Sequence, residues 1–323
     1  MSAQMTGARH GWVTTMHRGY RQHAYTQEVG ELRQLPLDGL FVADRPDPSP
    51  RDDVASMEFP LFALRPGDCS VRSYTHRGIA VQVIPSSLGA ATQRDKDILL
   101  FCVSQLVEAR NLGRDDLGRT VEATAYAILT FCKRRTGGKD YARLVQALNR
   151  LRGTTIRTDY VTGGKQITEG FGLIESYRLR RSLRHGGHIE AIEITLSEWL
   201  YNAIEALEVL AISPSYFKLR SDLERRLYEL ARKHCGSQPQ WRIGVAKLLH
   251  KSGSRSGLRE FRRKLKNIAA ADTLPDYRLA VCPITDNAVF AKRGHIAIVN
   301  IIAKPRHSRN HAVDNSFAPV GNL

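Results

Sequence analysis

The 323-residue sequence carries a formal net charge of +16, from 48 Lys and Arg against 32 Asp and Glu. It has no run of about eighteen apolar residues, and residues 1–21 lack the apolar core of a secretory signal, so we expect neither a membrane-spanning helix nor export. The five cysteines are dispersed without CxxC spacing, which predicts reduced thiols in a cytoplasmic protein that holds no metal and no cofactor. The positive charge favours a polyanionic partner, either nucleic acid or an anionic membrane surface.

The charge is unevenly distributed along the chain. Between Lys218 and Lys266 there are fifteen Lys and Arg but four Asp and Glu, whereas residues 38–53 are acidic and rich in proline. A segment of the second kind buries too little apolar area to offset the entropy of ordering, so residues 1–56 are predicted to be disordered. The concentration of cations after residue 218 favours a binding surface over a solvated surface that serves only solubility.

Residues 57–211 have the element order of a winged helix-turn-helix domain, in which three helices precede a β-hairpin. Ordered structure is expected from Met57, and the pattern Thr92–Asp95 resembles a capping box that opens the first long helix. The predicted elements are a strand at 79–84, helices at 92–110, 121–133 and 139–152, strands at 154–160, 171–180 and 189–196, and a helix at 197–207.

Residues 212–303 repeat this plan in a divergent sequence. After a predicted linker at 212–215 come helices at 219–233, 241–250 and 256–268, then hairpin strands at 277–282 and 289–293. Residues 304–323 are predicted to form a disordered tail. The predicted fold is therefore α+β, with two tandem winged helix-turn-helix domains between disordered N- and C-terminal tails.

The helices at 139–152 and 256–268 share one pattern, an apolar stripe opposite a basic stripe. A helix held by its apolar face and presenting cations from the other suits the major groove of DNA, so the repeated pattern favours double-stranded DNA over a membrane as the partner. A solvated basic face is the alternative. The apolar stripes are Leu144, Val145, Leu148 and Leu151 in the first helix and Leu258, Phe261, Leu265 and Ile268 in the second.

The candidate DNA-binding residues divide by chemistry. Arg143, Gln146 and Arg150 are predicted to read base edges, because Arg can form two hydrogen bonds with guanine and Gln two with adenine. The residues of the first domain predicted to contact phosphate are Lys139, Thr154 and Thr155. In the second domain cations predominate, and phosphate contacts are predicted for Arg255, Arg259, Arg262, Arg263 and Lys266.

Five further segments are distinctive as sequences, namely Met57–Leu64, Arg135–Thr158, Lys251–Ser254, Leu258–Leu265 and Leu274–Tyr277. They resemble the replication initiator protein A family of bacterial plasmid initiators, and the resemblance covers residues 57–295. It implies a protein that binds repeated origin sites, opens the duplex and recruits host replication proteins such as a helicase loader and the sliding clamp. It also implies exchange between a homodimer and DNA-bound monomers. A transcriptional regulator that represses its own promoter would use the same contacts and stays open as the alternative.

A short motif precedes the predicted folded region. Residues 34–41 (Gln-Leu-Pro-Leu-Asp-Gly-Leu-Phe) are similar to the Gln-Leu-x-Leu peptides that dock into the bacterial sliding clamp, although residues 38–39 interrupt the compact form. An ordinary apolar patch in a disordered tail is the alternative. The candidate clamp-binding residues are Gln34, Leu35, Leu37, Leu40 and Phe41.

Catalytic signatures are weak in this sequence. His185 and His188 flank two glycines in a predicted turn, and Tyr216 and Tyr228 lie among apolar neighbours, which favours turn and core positions over a nicking site. The glycine-rich stretches lack the Lys-Ser/Thr of a phosphate-binding loop. We therefore expect no enzymatic activity, with an origin-nicking enzyme as the alternative.

Overall fold

The computed structural model describes residues 40–76, 78–162, 165–182 and 187–294, and shows a mixed α+β chain. The helices are α1 (Val54–Glu58), α2 (Lys96–Asn111), α3 (Ala125–Phe131), α4 (Gly138–Gly153), α5 (Glu198–Glu205), α6 (Asp222–Cys235), α7 (Val245–Ser252) and α8 (Leu258–Ala271), with a 3-10 helix at Pro214–Lys218. The strands are β1 (Leu40–Val42), β2 (Arg51–Asp53), β3 (Arg72–His76), β4 (Ile79–Ile84), β5 (Thr120–Ala123), β6 (Thr155–Thr162), β7 (Lys165–Gly172), β8 (Ile174–Ser182), β9 (His188–Leu196), β10 (Val209–Ala211), β11 (Gln240–Gly244), β12 (Tyr277–Cys282) and β13 (Asn287–Lys292).

The described strands form four small sheets, two of which contain the hairpin that follows α4 or α8. One sheet has the order β3-β4-β6-β7, so the hairpin after α4 is extended by β3 and β4. Another has the order β1-β5-β9-β8, in which β1 pairs with β5 in parallel. The sheet β11-β13-β12 contains the hairpin after α8, and β2 pairs with β10. Each of the two basic helices is therefore followed by an antiparallel hairpin.

The two basic helices form close to where their periodicity places them. Helix α4 buries Leu144, Leu148 and Leu151 completely, and helix α8 buries Phe261 and Leu265. Each buried stripe holds its helix against the core, because burying a Leu or Phe side chain contributes about 1.5–3 kcal/mol to stability relative to leaving it exposed. The predicted apolar stripes are confirmed, with Val145, Leu258 and Ile268 half-buried at their margins.

The hydrogen bonds of the predicted capping box are present, but they lie in the turn before α2, which begins at Lys96 without a side-chain cap. The Thr92 hydroxyl accepts the Asp95 amide at 3.3 Å, and the Asp95 carboxylate accepts the Thr92 amide at 2.8 Å. The Asp95 amide also donates to the Thr92 carbonyl at 2.9 Å, so these bonds close the turn that leads into the helix. From there α2 runs through the core with apolar residues buried on most sides.

The prediction of disorder through residue 56 is wrong for residues 40–56. These residues form β1, β2 and α1, and Asp52 and Asp53 are buried. Composition indicated solvated aspartates, but each has a specific partner: the Asp52 carboxylate lies 2.6 Å from Lys96 Nζ, and Asp53 caps α1 by accepting the Ser56 amide at 2.7 Å. Asp52 is thus held by a residue far along the chain, and Asp53 by the start of α1.

Two predicted helices begin too early. Residues 120–123 form strand β5, and Thr124 then caps α3 by accepting the Ala127 amide at 3.1 Å. Residues 240–244 form strand β11, paired with β13, and α7 begins only at Val245. In both places a short strand precedes a helix, so the apolar residues of the two elements merge into one run that resembles a longer helix.

The first and second halves of the chain are joined by buried charges. Lys96 of α2 is fully buried and lies 2.6 Å from Asp52 and 3.1 Å from Glu229 of α6. Arg225 of α6 pairs with Asp97 of α2. Arg226 donates to the main-chain oxygens of Ser56, Met57, Glu58 and Lys251 at 2.9–3.1 Å.

These contacts revise the interpretation of the basic stretch after Lys218. Arg225 and Arg226 are almost completely buried, so part of that charge holds the fold together and does not belong to a surface. The predicted linker at 212–215 is packed as well, because the Ser213 amide donates to the Tyr228 hydroxyl at 2.7 Å. The domain boundary at residue 212 stays a prediction.

Candidate nucleic-acid interface

The outward face of α4 carries three of the predicted contact residues. Lys139, Arg143 and Gln146 are exposed. Arg143 pairs with Asp140 one turn earlier at 3.0 Å, but its side chain is 69% exposed, so the guanidinium can leave this weak surface pair. Lys139 and Gln146 form no ion pair or side-chain hydrogen bond within the described ranges. These three side chains form the exposed polar face of α4.

Arg150 is placed differently, and its predicted role as a base reader is wrong for this structure. Its Nε and Nη2 donate to the two carboxylate oxygens of Asp95, each at 2.8 Å. The side chains are 20% and 4% exposed. A guanidinium whose Nε–Nη2 edge is held by two charge-assisted hydrogen bonds in a largely buried site is committed to Asp95 and is not presented to a base.

The two threonines after α4 are placed differently. Thr154 is fully buried; its hydroxyl accepts the Ala91 amide at 2.8 Å and donates to the Arg150 carbonyl at 2.8 Å, so it cannot contact phosphate. Thr155 is exposed and lines a groove together with Arg152, Glu169 and Glu198. Its predicted phosphate contact stays a prediction.

Helix α8 presents Arg259 and Lys266 to solvent. Among the residues that the structure describes, neither has an ion-pair partner. Arg263 pairs with Glu260 on the same helix at 2.7 Å and is 63% exposed, so it too can turn to a ligand. Arg255, just before the helix, is 64% exposed and lies 3.1 Å from Asp68.

Arg262 differs from its neighbours on α8 because it ties the helix to the following hairpin. Its Nε and Nη2 donate to the two carboxylate oxygens of Asp286, each at 2.7 Å, and these bonds lower the pKa of Asp286. Asp286 lies in the turn between β12 and β13. This contact positions the hairpin beside α8. The Arg262 side chain is 38% exposed, and its predicted phosphate contact stays a prediction.

One cation near α8 was missed by the sequence analysis. Arg65 is exposed and close enough to Glu260 that its charge, added to the hydrogen bond from Arg263, lowers the pKa of Glu260. Nearly two hundred residues separate Arg65 from α8, so no local pattern could have connected them. The fold alone brings Arg65 close to α8. The contact between Arg255, just before α8, and Asp68 also joins these two parts of the chain.

The fold buries the end of the predicted clamp-binding motif. Phe41 is fully buried in β1, with the Arg114 guanidinium 4.7 Å from its ring centre, and Leu40 is half-buried. An anchoring side chain in the core cannot fill a pocket on another protein, so the assignment of Leu40 and Phe41 is wrong. The other three candidates, Gln34, Leu35 and Leu37, lie outside the described residues.

The tyrosines considered as nucleophiles are core residues. Tyr216 is fully buried and donates to Glu229 at 2.7 Å, while the Tyr228 hydroxyl accepts the Ser213 amide and lies 2.9 Å from Asp276. Burial raises the pKa of both phenols. His185 lies outside the described residues, and the structure does not describe the His188 side chain.

Two kinds of feature, a membrane-spanning helix and a metal-binding cluster, are absent from the described part of the chain. None of its helices is long and apolar enough to span a bilayer. No group of three or more His, Cys, Asp or Glu side chains in these ranges is placed to hold a metal ion.

Comparison with known proteins identifies relatives along most of the chain. The model of the replication initiator protein A family matches residues 51–279. The "Putative replication protein" of Wigglesworthia glossinidia brevipalpis is 36% identical over 256 residues, covering 79% of this chain and 93% of that protein.

Solved structures share the fold at lower identity. A crystal structure of domains 2 and 3 of RctB aligns with a TM-score of 0.56 at 13% identity, covering 73% of this chain and 97% of that one. A second structure of the same domains gives 0.51 at 10% identity, covering 74% and 96%. At these identities the likeness shows a common fold.

Proposed function

Because this chain belongs to the replication initiator protein A family, we propose that it starts plasmid replication by binding repeated sites in origin DNA through two winged-helix modules and by recruiting host replication proteins there. The observation that carries the proposal is how the polar residues of α4 and α8 divide. Arg150 and Arg262 hold the fold, whereas Lys139, Arg143 and Gln146 on α4 and Arg259, Arg263 and Lys266 on α8 remain at the surface.

The dimensions of α4 support its role as a recognition helix. Its sixteen residues span about 24 Å at 1.5 Å per residue, and the major groove is about 12 Å wide, enough for one helix. Arg143 is suited to guanine and Gln146 to adenine, each through two hydrogen bonds. Lys139, one turn before Arg143, is suited to the phosphate backbone. In this proposal the β6–β7 hairpin that follows α4 serves as the first wing.

The second module is suited to gripping the backbone. Its exposed side chains on α8 include three cations, Arg259, Arg263 and Lys266, against the single amide of Asn267, so phosphate contacts dominate in the proposal. The bond between Arg262 and Asp286 ties the β12–β13 hairpin to that helix, which supports the proposal that this hairpin is a second wing. The module therefore supplies affinity and register more than sequence selection.

The buried charges between the halves support simultaneous binding by both modules. Arg225, Arg226 and Lys96 fix α6 against α1 and α2, so the modules are not joined by a flexible linker that must search for a geometry. Two modules held in a fixed arrangement bind one duplex with high effective concentration.

We also propose that the chain acts in the bacterial cytoplasm by binding alone, without cleaving DNA. The buried, hydrogen-bonded hydroxyls of Tyr216 and Tyr228 support this, because neither can reach a phosphate. Opening of the duplex would then draw on binding energy or on recruited proteins. A covalent tyrosyl–DNA adduct on a denaturing gel would contradict this part of the proposal.

Titration of a labelled duplex from the DNA flanking the gene, against a scrambled duplex, tests the DNA-binding proposal. If the five exposed cations among the predicted contacts on α4 and α8 and the neighbouring Arg255 are engaged, the slope of log K against log salt should be about −5, or about a thousandfold loss from 50 to 200 mM salt. Arg143→Ala should reduce the preference for the flanking duplex. Lys218→Ala, which removes an exposed cation outside α4 and α8, is the matched control and should change neither quantity. A nearly flat salt response would contradict the proposal.

Replication of a plasmid that carries only the origin, with the chain supplied in trans, separates an initiator from an autorepressor. An initiator supports that replication, whereas a regulator that only represses its own promoter does not. Failure to replicate together with sequence-selective DNA binding would favour the autorepressor.

A further inference from the structure

A groove of about 900 Å³ opens beside the base of the first hairpin. It lies between the start of β6, the end of β7 and helix α5, with Ala55 of α1 at one side. Small residues line part of it, among them Ala203 and Gly172. A Cβ at Gly172 would lie 2.6 Å from the Ile174 carbonyl oxygen, so glycine is required where the chain turns from β7 to β8. The volume falls within the range of sites that enclose a small ligand or a few side chains.

Two stacked aromatic rings form part of the lining. Phe171 of β7 and Trp199 of α5 lie 5.5 Å apart at an interplanar angle of 24°. Both are half-buried, so the pair is supported by the core and still reaches the groove. Rings fixed in this way lose little conformational freedom when a ligand stacks on them.

The charge of the groove is opposite to that of the chain. Glu169, Glu175, Glu198 and Glu208 line it with a single cation, Arg152, although the whole chain carries +16. Glu175 lies 3.5 Å from Arg119, and all four glutamates are exposed. Carboxylates in this density repel DNA phosphate. The groove is therefore unsuited to the duplex that α4 and α8 are proposed to bind.

We propose that this groove binds an arginine-bearing segment of a partner protein. An arginine guanidinium is planar, stacks on an indole ring and pairs with carboxylates through two hydrogen bonds, so Trp199 with Glu198 or Glu208 provides matching chemistry. The charge complementarity argues for a cationic segment of a partner in this groove, because the rest of this basic surface repels such a segment. The inference goes beyond DNA binding and does not rest on it.

The test is a titration of a fluorescein-labelled peptide of alternating arginine and lysine with the full-length chain, followed by fluorescence anisotropy. The double variant Glu198→Gln, Glu208→Gln changes exposed residues and should bind the peptide at least about tenfold more weakly. Trp199→Leu should weaken binding by a similar factor. Glu190→Gln removes an exposed carboxylate of β9 outside the groove and should leave the affinity unchanged. Equal affinity in all four proteins, or an equal loss with Glu190→Gln, would overturn the proposal.

A second measurement identifies the occupant. Carbodiimide cross-linking should join Glu198 or Glu208 to a lysine of the added peptide, located by mass spectrometry. A cross-link to a lysine of the same chain, or of a second copy, would mean that the protein fills its own groove and would overturn the proposal. The double variant should keep wild-type DNA affinity, since its changes lie away from α4 and α8. In a competition experiment, displacement of the bound peptide by duplex DNA would also overturn the proposal.

Discussion

Replacing Arg150 by alanine tests whether this side chain supports the fold or reads DNA. The guanidinium donates two hydrogen bonds of 2.8 Å to Asp95, and both side chains are largely buried. Asp95 also accepts the Thr92 amide at 2.8 Å, at the start of α2. The pair thus connects the last turn of α4 to the first turn of the central helix.

The expected cost follows from burial. Removing one partner of a fully buried pair costs about 3–5 kcal/mol, because the remaining charge is left without compensation. Arg150 is one-fifth exposed and Asp95 keeps its bond to Thr92, so we expect Arg150→Ala to lower the free energy of unfolding by about 2–3 kcal/mol. Arg143, at 69% exposure, should cost at most about 1 kcal/mol when replaced by alanine.

Urea unfolding followed by circular dichroism measures these differences, and binding to cognate and scrambled duplexes measures selectivity. Folded Arg150→Ala should keep the wild-type preference, whereas Arg143→Ala should lose about 1–3 kcal/mol of it. Replacing both charges, as Asp95→Leu with Arg150→Met, should recover part of the lost stability because no unpaired charge remains. An Arg150→Ala protein with unchanged stability and no sequence preference would refute the reasoning.

Three other changes test separate parts of the structure. Lys266→Ala should weaken binding to all duplexes alike and reduce the salt slope by about 0.9, and a loss confined to one sequence would count against a phosphate contact. Burial and the charge of Lys251 lower the pKa of His234 to about 3, so the unfolded chain binds a proton below pH 6.5 that the folded chain does not. His234 therefore contributes a loss of about 2 kcal/mol from pH 7 to pH 5, opposed over the same range by Asp52, because burial raises the pKa of that carboxyl to about 8. The change in stability from pH 7 to pH 5, measured by urea unfolding, should accordingly be about 2 kcal/mol more favourable in His234→Phe than in wild type or in the exposed-site control His250→Phe. Phe41→Ala should cost about 3 kcal/mol in the same urea assay, and a cost under about 1 kcal/mol would indicate that β1 is not part of the core.

Periodicity was sufficient to predict the elements that organise the proposed interface. The apolar stripes of α4 and α8 predicted both helices and their buried faces, because a helix held by one face needs apolar residues every three or four positions. The hairpin after α8 followed from alternation and a turn, and the structure pairs Cys282 with Asn287 across that turn. Such local patterns do not depend on distant partners.

Periodicity was not sufficient to distinguish binding residues from structural ones. Arg150 falls on the same face of α4 as Lys139 and Arg143, and the pattern assigned all three to the surface that meets DNA. They differ because the start of α2, far away in sequence, lies beside the last turn of α4 and places Asp95 there. The same limit explains β2, where Asp52 is ordered by Lys96 from another element.

The positive charge of this chain has two separate uses, and salt acts on them differently. Buried cations such as Lys96 and Arg225 each have a carboxylate partner, so they add little to the net charge that a ligand meets. The excess cations, such as Arg259 and Lys266, lie at the surface, where ions screen charges over about 10 Å at 0.1 M salt. Buried pairs are screened much less. Added salt therefore weakens the proposed contacts with DNA while the charges that join the two halves stay in place, so release from DNA does not require the modules to separate.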